Sequence, residues 1–333
     1  MSAALLVSSV RAGDDAERKK HENEIISKIL QDWKARSRSV DTLILEANGT
    51  EVHPKGLYNN DPSLPQGFNG TFPKEDYAGL AKEVFVIDYR QGLCRNETLL
   101  PLPNLSVNPP VMDQSDTVFV YDGKKVALWV RGLDPKNPSG HVNWYRPTGV
   151  GSRMWFNIRY DPIAWGFGNV APEGIGRNKI ERLRPSLKKS DLTYVGVAEC
   201  RGRRVHRVRV GIRPTGYTEL WVDVERDSII VRADWYSLRG RKQHRFKFEL
   251  YYRQADDRWL LKEWSIWVKD GPTTRLTVTR LEINKPMGKF EFSIPTLPGM
   301  TISDERGPKT KRYRVDKNGQ LIPLVDAKNT DRT

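Results

Sequence analysis

The sequence contains few of the residues that carry enzyme chemistry or bind metals. Cys94 and Cys200 are its only cysteines, and its five histidines are scattered, with no second ligand at metal-binding spacing. The common motifs for nucleophiles, zinc proteases, P-loops and dinucleotide binding are also absent. A pair of carboxylates that meets only in the folded chain would still permit glycoside hydrolysis. With that alternative left open, we expect a protein that is not an enzyme and has no cofactor or metal.

Long hydrophobic runs are absent too, since no stretch approaches the 18 apolar residues of a membrane-spanning helix. Residues 3–12 nevertheless resemble the end of a secretory signal, although a positively charged start is missing. Residues 1–13 are therefore interpreted as a signal-peptide remnant, with a disordered leader as the alternative. The signal would place the protein in the periplasm or elsewhere outside the cytoplasm. With only two cysteines, a single disulfide and two free thiols are both open alternatives.

Charge of one sign is in excess. Lysine and arginine number 55 against 41 acidic residues, which gives a net charge of +14. This excess fits attraction to an anionic membrane surface, and equally a basic surface with no particular partner. The arginines are spread along strands and no nucleic-acid-binding motif is present, so no nucleic acid is expected as a partner.

The chain is organised around residues 217–294, a series of short strands separated by turns. The strands are rich in β-branched and aromatic residues, with turn residues between them, which is typical of an antiparallel meander. No helix-length segment interrupts the series, so a parallel α/β sheet is disfavoured. The predicted strands are 217–224, 229–236, 245–252, 259–268, 274–283 and 290–294.

Alternation along these strands predicts one apolar, aromatic face and one charged face. A twisted sheet of this many strands tends to curl, so its apolar face becomes the wall of an open or closed barrel. Such a wall suits acyl chains, because each buried methylene contributes about 0.8 kcal/mol. The predicted ligand-binding residues are Trp165, Phe167, Ile229, Val231, Trp235, Phe246, Phe248, Leu250, Trp264 and Ile266.

Segments before the meander supply the expected cover for this face. Residues 14–39 show an amphipathic pattern that includes Ile29 and Trp33. The pattern favours a helix packed on the sheet over a coiled coil or a membrane-surface helix. Residues 155–168 predict a short aromatic helix between glycines, which would act as a lid or as a plug that completes the core.

Two segments, taken with this order of elements, carry a resemblance to a known family. They are Leu220-Trp221-Val222-Asp223 and the closing segment 292–304, which reads Phe-Ser-Ile-Pro-Thr-Leu-Pro-Gly-Met-Thr-Ile-Ser-Asp. Over residues 20–306 the chain resembles the LolA/LolB-type lipoprotein carriers and the RseB-like sensor domains. Within that group it is similar to uncharacterised outer-membrane lipoprotein-sorting proteins of planctomycete-type bacteria. The resemblance implies an exported protein with a half-barrel of about eleven strands, lidded by helices, that binds acyl chains.

The resulting expectation is a mainly β protein with α elements, in which a strongly curved antiparallel sheet is covered by an N-terminal helix and a short inserted helix. It would hold acyl chains of a lipid or lipoprotein without catalysis. The alternative is an interaction or sensor domain, similar to RseB, whose cavity is plugged. The expected organisation is one domain over 14–306 with loop insertions at 53–80 and 132–152, followed by a terminal hairpin and disordered tail at 307–333.

Overall fold

The structure is a computed structural model that describes five stretches of the chain. They are residues 3–131 (except 65–67, 69 and 106), 139–145, 188–255 (except 214, 215 and 238–242), 257–287 and 292–324. The described residues form two compact units. Residues 3–39 and 188–260 belong to the first unit, and residues 40–145 and 261–324 belong to the second.

The first unit is a five-stranded antiparallel sheet with one long helix. The helix, α1, runs from Ala3 to Arg38 and continues upstream of the predicted start at residue 14. A short 3-10 turn at Lys189–Asp191 precedes the sheet, whose strand order is β11-β10-β9-β8-β7. The strands are β7 (Leu192–Cys200), β8 (Arg203–Arg213), β9 (Gly216–Asp223), β10 (Ile229–Ser237) and β11 (Gln243–Ala255).

The helix packs on the sheet of this unit, as its amphipathic pattern predicts. Ile26, Ile29 and Trp33 follow one another on one side of α1 and are buried. The Trp33 indole N–H donates to the backbone carbonyl of Ser228 at 2.7 Å. The Ser228 hydroxyl in turn donates to Asp32 Oδ2 at 2.6 Å. The turn between β9 and β10 is therefore held to the last turns of the helix. No helix in the described part of the chain is both long and apolar enough to cross a membrane.

Strand β10 departs from simple alternation. Ile230 lies opposite Val222 and Arg232 lies opposite Trp221, so Val231 is an extra residue in the ladder to β9. Such a bulge moves the following side chains to the other face. Ile230, and not Ile229, therefore shares the face of Ala233. The uninterrupted alternation predicted for 229–236 is wrong at this point.

The second unit is a larger sheet in the order β16-β15-β14-β6-β5-β4-β3-β2-β1-β13-β12. Its neighbouring strands pair antiparallel except β6 and β14, which are parallel. Its strands are β1 (Thr42–His53), β2 (Tyr77–Asp88), β3 (Leu93–Asn104), β4 (Val111–Tyr121), β5 (Val126–Arg131), β6 (His141–Tyr145), β12 (Arg258–Val268, of which 261–268 lie in this unit), β13 (Thr273–Ile283), β14 (Thr301–Asp304), β15 (Lys311–Val315) and β16 (Leu321–Pro323).

The two faces of this sheet are buried to different extents. One face is buried along β1, β2 and β12. Residues 47, 51 and 53 of β1 and every second residue of 79–85 in β2 are inaccessible. The opposite face is covered only in part. There, a cluster around Val120 and Trp129 packs against Phe292, Ile294 and Leu297 of the segment before β14. Residues 292–294 thus pack against the sheet without forming a strand. The strand predicted for 290–294 is therefore wrong over these described residues.

Strand β3 contains Pro101 and Pro103, and proline is unusual inside a strand. The register explains why they are tolerated. Pairing of β3 with β2 ends at Leu99, whereas pairing with β4 continues to Asn104. Beyond Leu99 one edge of β3 has no ladder partner, and a residue without a backbone N–H is acceptable there. Strand β6 lies inside the loop insertion predicted for 132–152.

The expected fold class is confirmed in its coarse form, since the described chain is mostly β with one long helix. The described residues form sixteen strands and not about eleven. The first insertion is a loop between His53 and Tyr77, and the terminal hairpin is present as β15 and β16. The inserted helix predicted at 155–168 lies outside the described residues. Both cysteines are thiols.

A pH-dependent contribution to stability is expected from Asp304 at the end of β14. Arg306 donates to both carboxylate oxygens at 2.8 Å, and these hydrogen bonds lower the pKa of Asp304. The ion pair therefore stabilises the fold above the ordinary pKa of an aspartate and is lost as pH falls through the lowered value. For Asp304→Asn we expect a loss of up to about 1 kcal/mol at pH 7 and less at pH 3, because the pair is partly exposed. Urea unfolding at both pH values measures this, and an equal loss at both would contradict it.

Candidate functional site

A row of side chains crosses the second unit from strand to strand on its more deeply buried face. The registers place Leu281 opposite Leu45, Leu45 opposite Phe85, and Phe119 opposite Leu128. Asn96 of β3 joins Phe85 to Phe119 in this row. Directly opposed residues share a face and lie about 5 Å apart. We call these five apolar residues (Leu281, Leu45, Phe85, Phe119 and Leu128) the apolar row.

The apolar row is covered by protein. Leu45, Phe85, Phe119 and Leu128 are between 1 and 6% exposed, while Leu281 is half-buried. Asn96 is the one polar member of the row between Leu281 and Leu128. Its carbonyl oxygen accepts from the Thr98 hydroxyl at 3.1 Å, and its amide lies 3.5 Å from Glu83 Oε1. Five strand spacings separate Leu281 from Leu128, a span of roughly 24 Å.

Two of the predicted ligand-binding residues lie on this same face, beside the apolar row. Trp264 lies opposite Leu276 and Ile266 opposite Thr274, and Leu276 in turn lies opposite Gly49 of β1. Both predicted residues are fully buried. The Trp264 indole N–H is buried without a hydrogen-bond acceptor. An unpaired buried donor of this kind costs about 1–3 kcal/mol.

Four of the predicted residues (Trp235, Phe246, Phe248 and Leu250) share one face of the first unit's sheet. Phe248 and Leu250 are buried, and Phe246 stacks on Trp235 with ring centroids 5.1 Å apart. Tyr252 continues this series, and burial raises the pKa of its phenol, with a smaller opposing effect from Arg36 of α1. Ile229 lies opposite Asp223, on the other face, and Val231 is the extra residue of the bulge. Trp165 and Phe167 lie outside the described residues.

The row continues past Leu128 into polar side chains. Leu128 lies opposite Asn143 of β6, Asn143 is aligned with Ser303 of β14, and Ser303 lies opposite Arg312 of β15. These three line a groove of about 500 Å³. Its lining is His141, Asn143, Thr301, Ile302, Ser303, Glu305, Thr310, Arg312, Tyr313 and Leu324. Sequence reasoning missed this groove, because no local motif joins 141–143 to 301–312.

Hydrogen bonds fix the floor of this groove, which we call the polar groove. His141 Nε2 lies 2.9 Å from Asn143 Oδ1, and His141 Nδ1 lies 2.7 Å from the Thr301 hydroxyl. Since Asn143 Oδ1 only accepts, Nε2 carries the proton and donates to it. That bond turns the amide nitrogen of Asn143 away from the histidine. The groove thus has oriented hydrogen-bond donors at the end of the apolar row.

A second polar cluster lies near the end of β1 at His53, where the side chains of Glu51, His53 and Thr274 are buried. His53 Nε2 lies 2.9 Å from Glu51 Oε1, and His53 Nδ1 lies 2.6 Å from the Tyr58 hydroxyl. The Thr274 hydroxyl donates to Glu51 Oε2 at 2.7 Å. Tyr58 belongs to the loop after β1, where its ring contacts Phe72. This network joins the loop to β1 and β13.

Within the described stretches, no three His, Cys, Asp or Glu side chains are grouped as metal ligands would be. No protein-family model matches the chain, and no curated protein matches it significantly.

Solved structures with a similar arrangement include an outer membrane lipoprotein-sorting protein domain, provisionally described as such, from Vibrio parahaemolyticus. It is 13% identical, with a TM-score of 0.44 over 80% of this chain and 94% of that one. An uncharacterised conserved protein from Thermus thermophilus matches at 10% identity and a TM-score of 0.29, over 78% of this chain and 88% of that one. The MucA/MucB complex of Pseudomonas aeruginosa matches at 12% identity and a TM-score of 0.23, over 78% of this chain and 94% of that one.

A lipoprotein-sorting domain and MucB are thus among the solved structures that this chain matches. At these identities and TM-scores the matches transfer no ligand, partner or residue role to this chain.

Proposed function

We propose that this protein is a non-catalytic, extracytoplasmic binding protein that holds an acyl chain of a lipid or lipoprotein. The observation that carries the proposal is the apolar row, which extends over five strand spacings and ends in a polar groove. An acyl chain laid along the row would contact apolar side chains for most of its length. Since each buried methylene contributes about 0.8 kcal/mol, a long chain could be held without a specific polar contact.

The predicted residues Trp264 and Ile266 extend the same face beyond the row and form part of the proposed wall. The unpaired Trp264 N–H would gain an acceptor if a ligand carbonyl reached it. In the first unit, Trp235, Phe246, Phe248 and Leu250 remain proposed contacts for an apolar ligand. Ile229 and Val231 remain proposed on the sequence prediction alone.

A second function is favoured by the burial of the wall. Protein atoms already cover the apolar row, as expected of an interaction or sensor domain whose interior is filled by its own chain. An acyl chain would bind only if this cover gave way. The two functions therefore differ in whether an apolar ligand can enter.

Uptake of an acyl probe by the intact, delipidated protein tests the proposal. We expect saturable binding of a fluorescent long-chain fatty acid, competed by the unlabelled acid. Leu281→Asn should weaken this binding about tenfold, because it introduces a polar group at the half-buried end of the apolar row. Thr277→Asn is the matched control, since Thr277 is exposed on the same strand.

The control variant should bind like the natural chain. Absence of saturable uptake by folded protein would contradict the acyl-binding proposal and favour the sensor function. That function would then be tested by capture of a protein partner from the cell envelope.

A further inference from the structure

The polar groove lies where the head group of a bound lipid would be. From Leu128, one strand spacing leads to Asn143, a second to Ser303 and a third to Arg312. Each step is about 4.8 Å. The change from apolar to polar side chains therefore occurs in one line across the sheet. An amphipathic ligand lying along the apolar row would reach the groove with its polar end.

The charges that line the groove are of both signs. Arg312 contributes an exposed guanidinium that makes no ion pair within the described part of the chain. Glu305 is the one acidic residue in the lining, and its backbone N–H is held by the carbonyl of Trp144 at 2.8 Å. Tyr145 belongs to the same face as Leu128, and its phenol pKa is raised by burial and, second, by the charge of Glu305. Glu305 and Arg312 thus both contribute a charge on this face.

Asn143, Ser303 and Thr310 are uncharged lining residues that can donate hydrogen bonds. The Asn143 amide nitrogen is oriented by the bond from His141 to its oxygen. The Ser303 hydroxyl is nearly buried in the same row, and Thr310 adds a second hydroxyl. A planar guanidinium with amide and hydroxyl donors beside it matches the geometry of phosphate oxygens. A carboxylate next to this set would repel a simple anion but attract an ammonium group.

We propose that the polar groove binds a phosphate ester that carries an ammonium group, with Arg312, Ser303 and Asn143 on the phosphate and Glu305 on the ammonium. Phosphoethanolamine has this chemistry, whether it is the head group of a lipid or a free metabolite. The inference rests on the proposed function for the lipid source, since only a lipid would also occupy the apolar row. His141 is a positioning residue, which acts on the ligand through Asn143.

The test compares ligands that share one part of this chemistry. Binding to the full chain is measured by calorimetry for lysophosphatidylethanolamine, lysophosphatidylglycerol and the fatty acid of the same chain length, and also for O-phosphoethanolamine and inorganic phosphate. We expect the ethanolamine lipid to bind at least tenfold more tightly than the fatty acid. Arg312→Gln should remove this advantage, and Glu305→Gln should remove the preference over the glycerol lipid.

Lys311→Gln is the control for the arginine variant. Lys311 is exposed and adjacent to Arg312 but alternates to the other face of β15, so the same loss of charge should leave binding unchanged. Equal affinities for the three acyl ligands would overturn the inference while leaving the acyl-binding proposal intact. Equal effects of Arg312→Gln and Lys311→Gln would do the same.

The two soluble ligands separate the sources. If only O-phosphoethanolamine binds and depends on Arg312 and Glu305, the groove chemistry is supported, while the lipid source and the proposed function fail. If inorganic phosphate binds as tightly as the ethanolamine lipid, the ammonium part of the inference is overturned. If none of the five ligands binds to folded protein, both proposals fail.

Discussion

His53→Ala is expected to lower the free energy of unfolding by about 3–5 kcal/mol, among the largest effects of any single substitution in the second unit. The His53 and Glu51 side chains are 1% and 3% exposed, so the carboxylate cannot turn to water when its partner is removed. Glu51 would keep only the bond from Thr274, and the Tyr58 hydroxyl would lose its bond to His53. Urea unfolding measures the loss. Hydrogen exchange should be faster in β1, β2 and the loop between them.

His141→Ala is the matched control for this prediction. His141 also makes two side-chain hydrogen bonds, to Thr301 and Asn143, but it is half-buried and its partners are neutral. Water can replace both bonds, so the expected loss is about 1 kcal/mol or less. Equal losses for the two histidines would contradict the argument that burial of the Glu51–His53 pair sets the size of the effect.

Trp33→Ala should lower the free energy of unfolding by about 3–5 kcal/mol through the first unit. Trp33 is 3% exposed, and its indole donates the hydrogen bond that fixes the turn before β10. Alanine would leave a cavity under α1 and an unpaired carbonyl at Ser228. Ile26 and Ile29 would remain, so the helix should stay docked but exchange its amide hydrogens faster.

Lys34→Ala provides the comparison, because Lys34 follows Trp33 in the sequence but lies on the exposed side of α1. It should change stability by no more than about 0.5 kcal/mol, since no described contact is lost and alanine favours a helix. Hydrogen exchange localises the effect of Trp33→Ala, which should be concentrated in β9, β10 and the turn between them. A loss confined to the helix, with unchanged exchange in these strands, would show that Trp33 does not couple the helix to the sheet.

The burial of the apolar row bears directly on the choice between carrier and sensor. In the described state the row is as inaccessible as an ordinary protein core. Acyl uptake would therefore have a conformational cost that a permanently open groove lacks. Binding that is slow relative to diffusion would fit this cost and would distinguish a covered wall from an open one.

Strand content and the terminal hairpin could be predicted from the sequence because they follow from short-range patterns. A strand shows a period of two residues, and turn residues mark its ends, so most strands of 217–283 were found within a few residues. The amphipathic pattern that includes Ile29 and Trp33 is equally local, and it predicted a helix packed on a sheet. Strand β3 holds two prolines that a local rule would exclude, and the missing ladder beyond Leu99 that accommodates them depends on the neighbouring strand.

The sequence by itself determined a mainly β protein with an amphipathic helix and apolar strand faces, since each of these features is encoded within about ten consecutive residues. Only the tertiary structure decided which faces meet. The bulge at Val231 reversed the alternation of β10, and the parallel pairing of β6 with β14 brought Asn143 beside Ser303. The line from Leu281 to Arg312 joins residues from nine strands. Strand order and register are set by long-range pairing, and no local pattern records them.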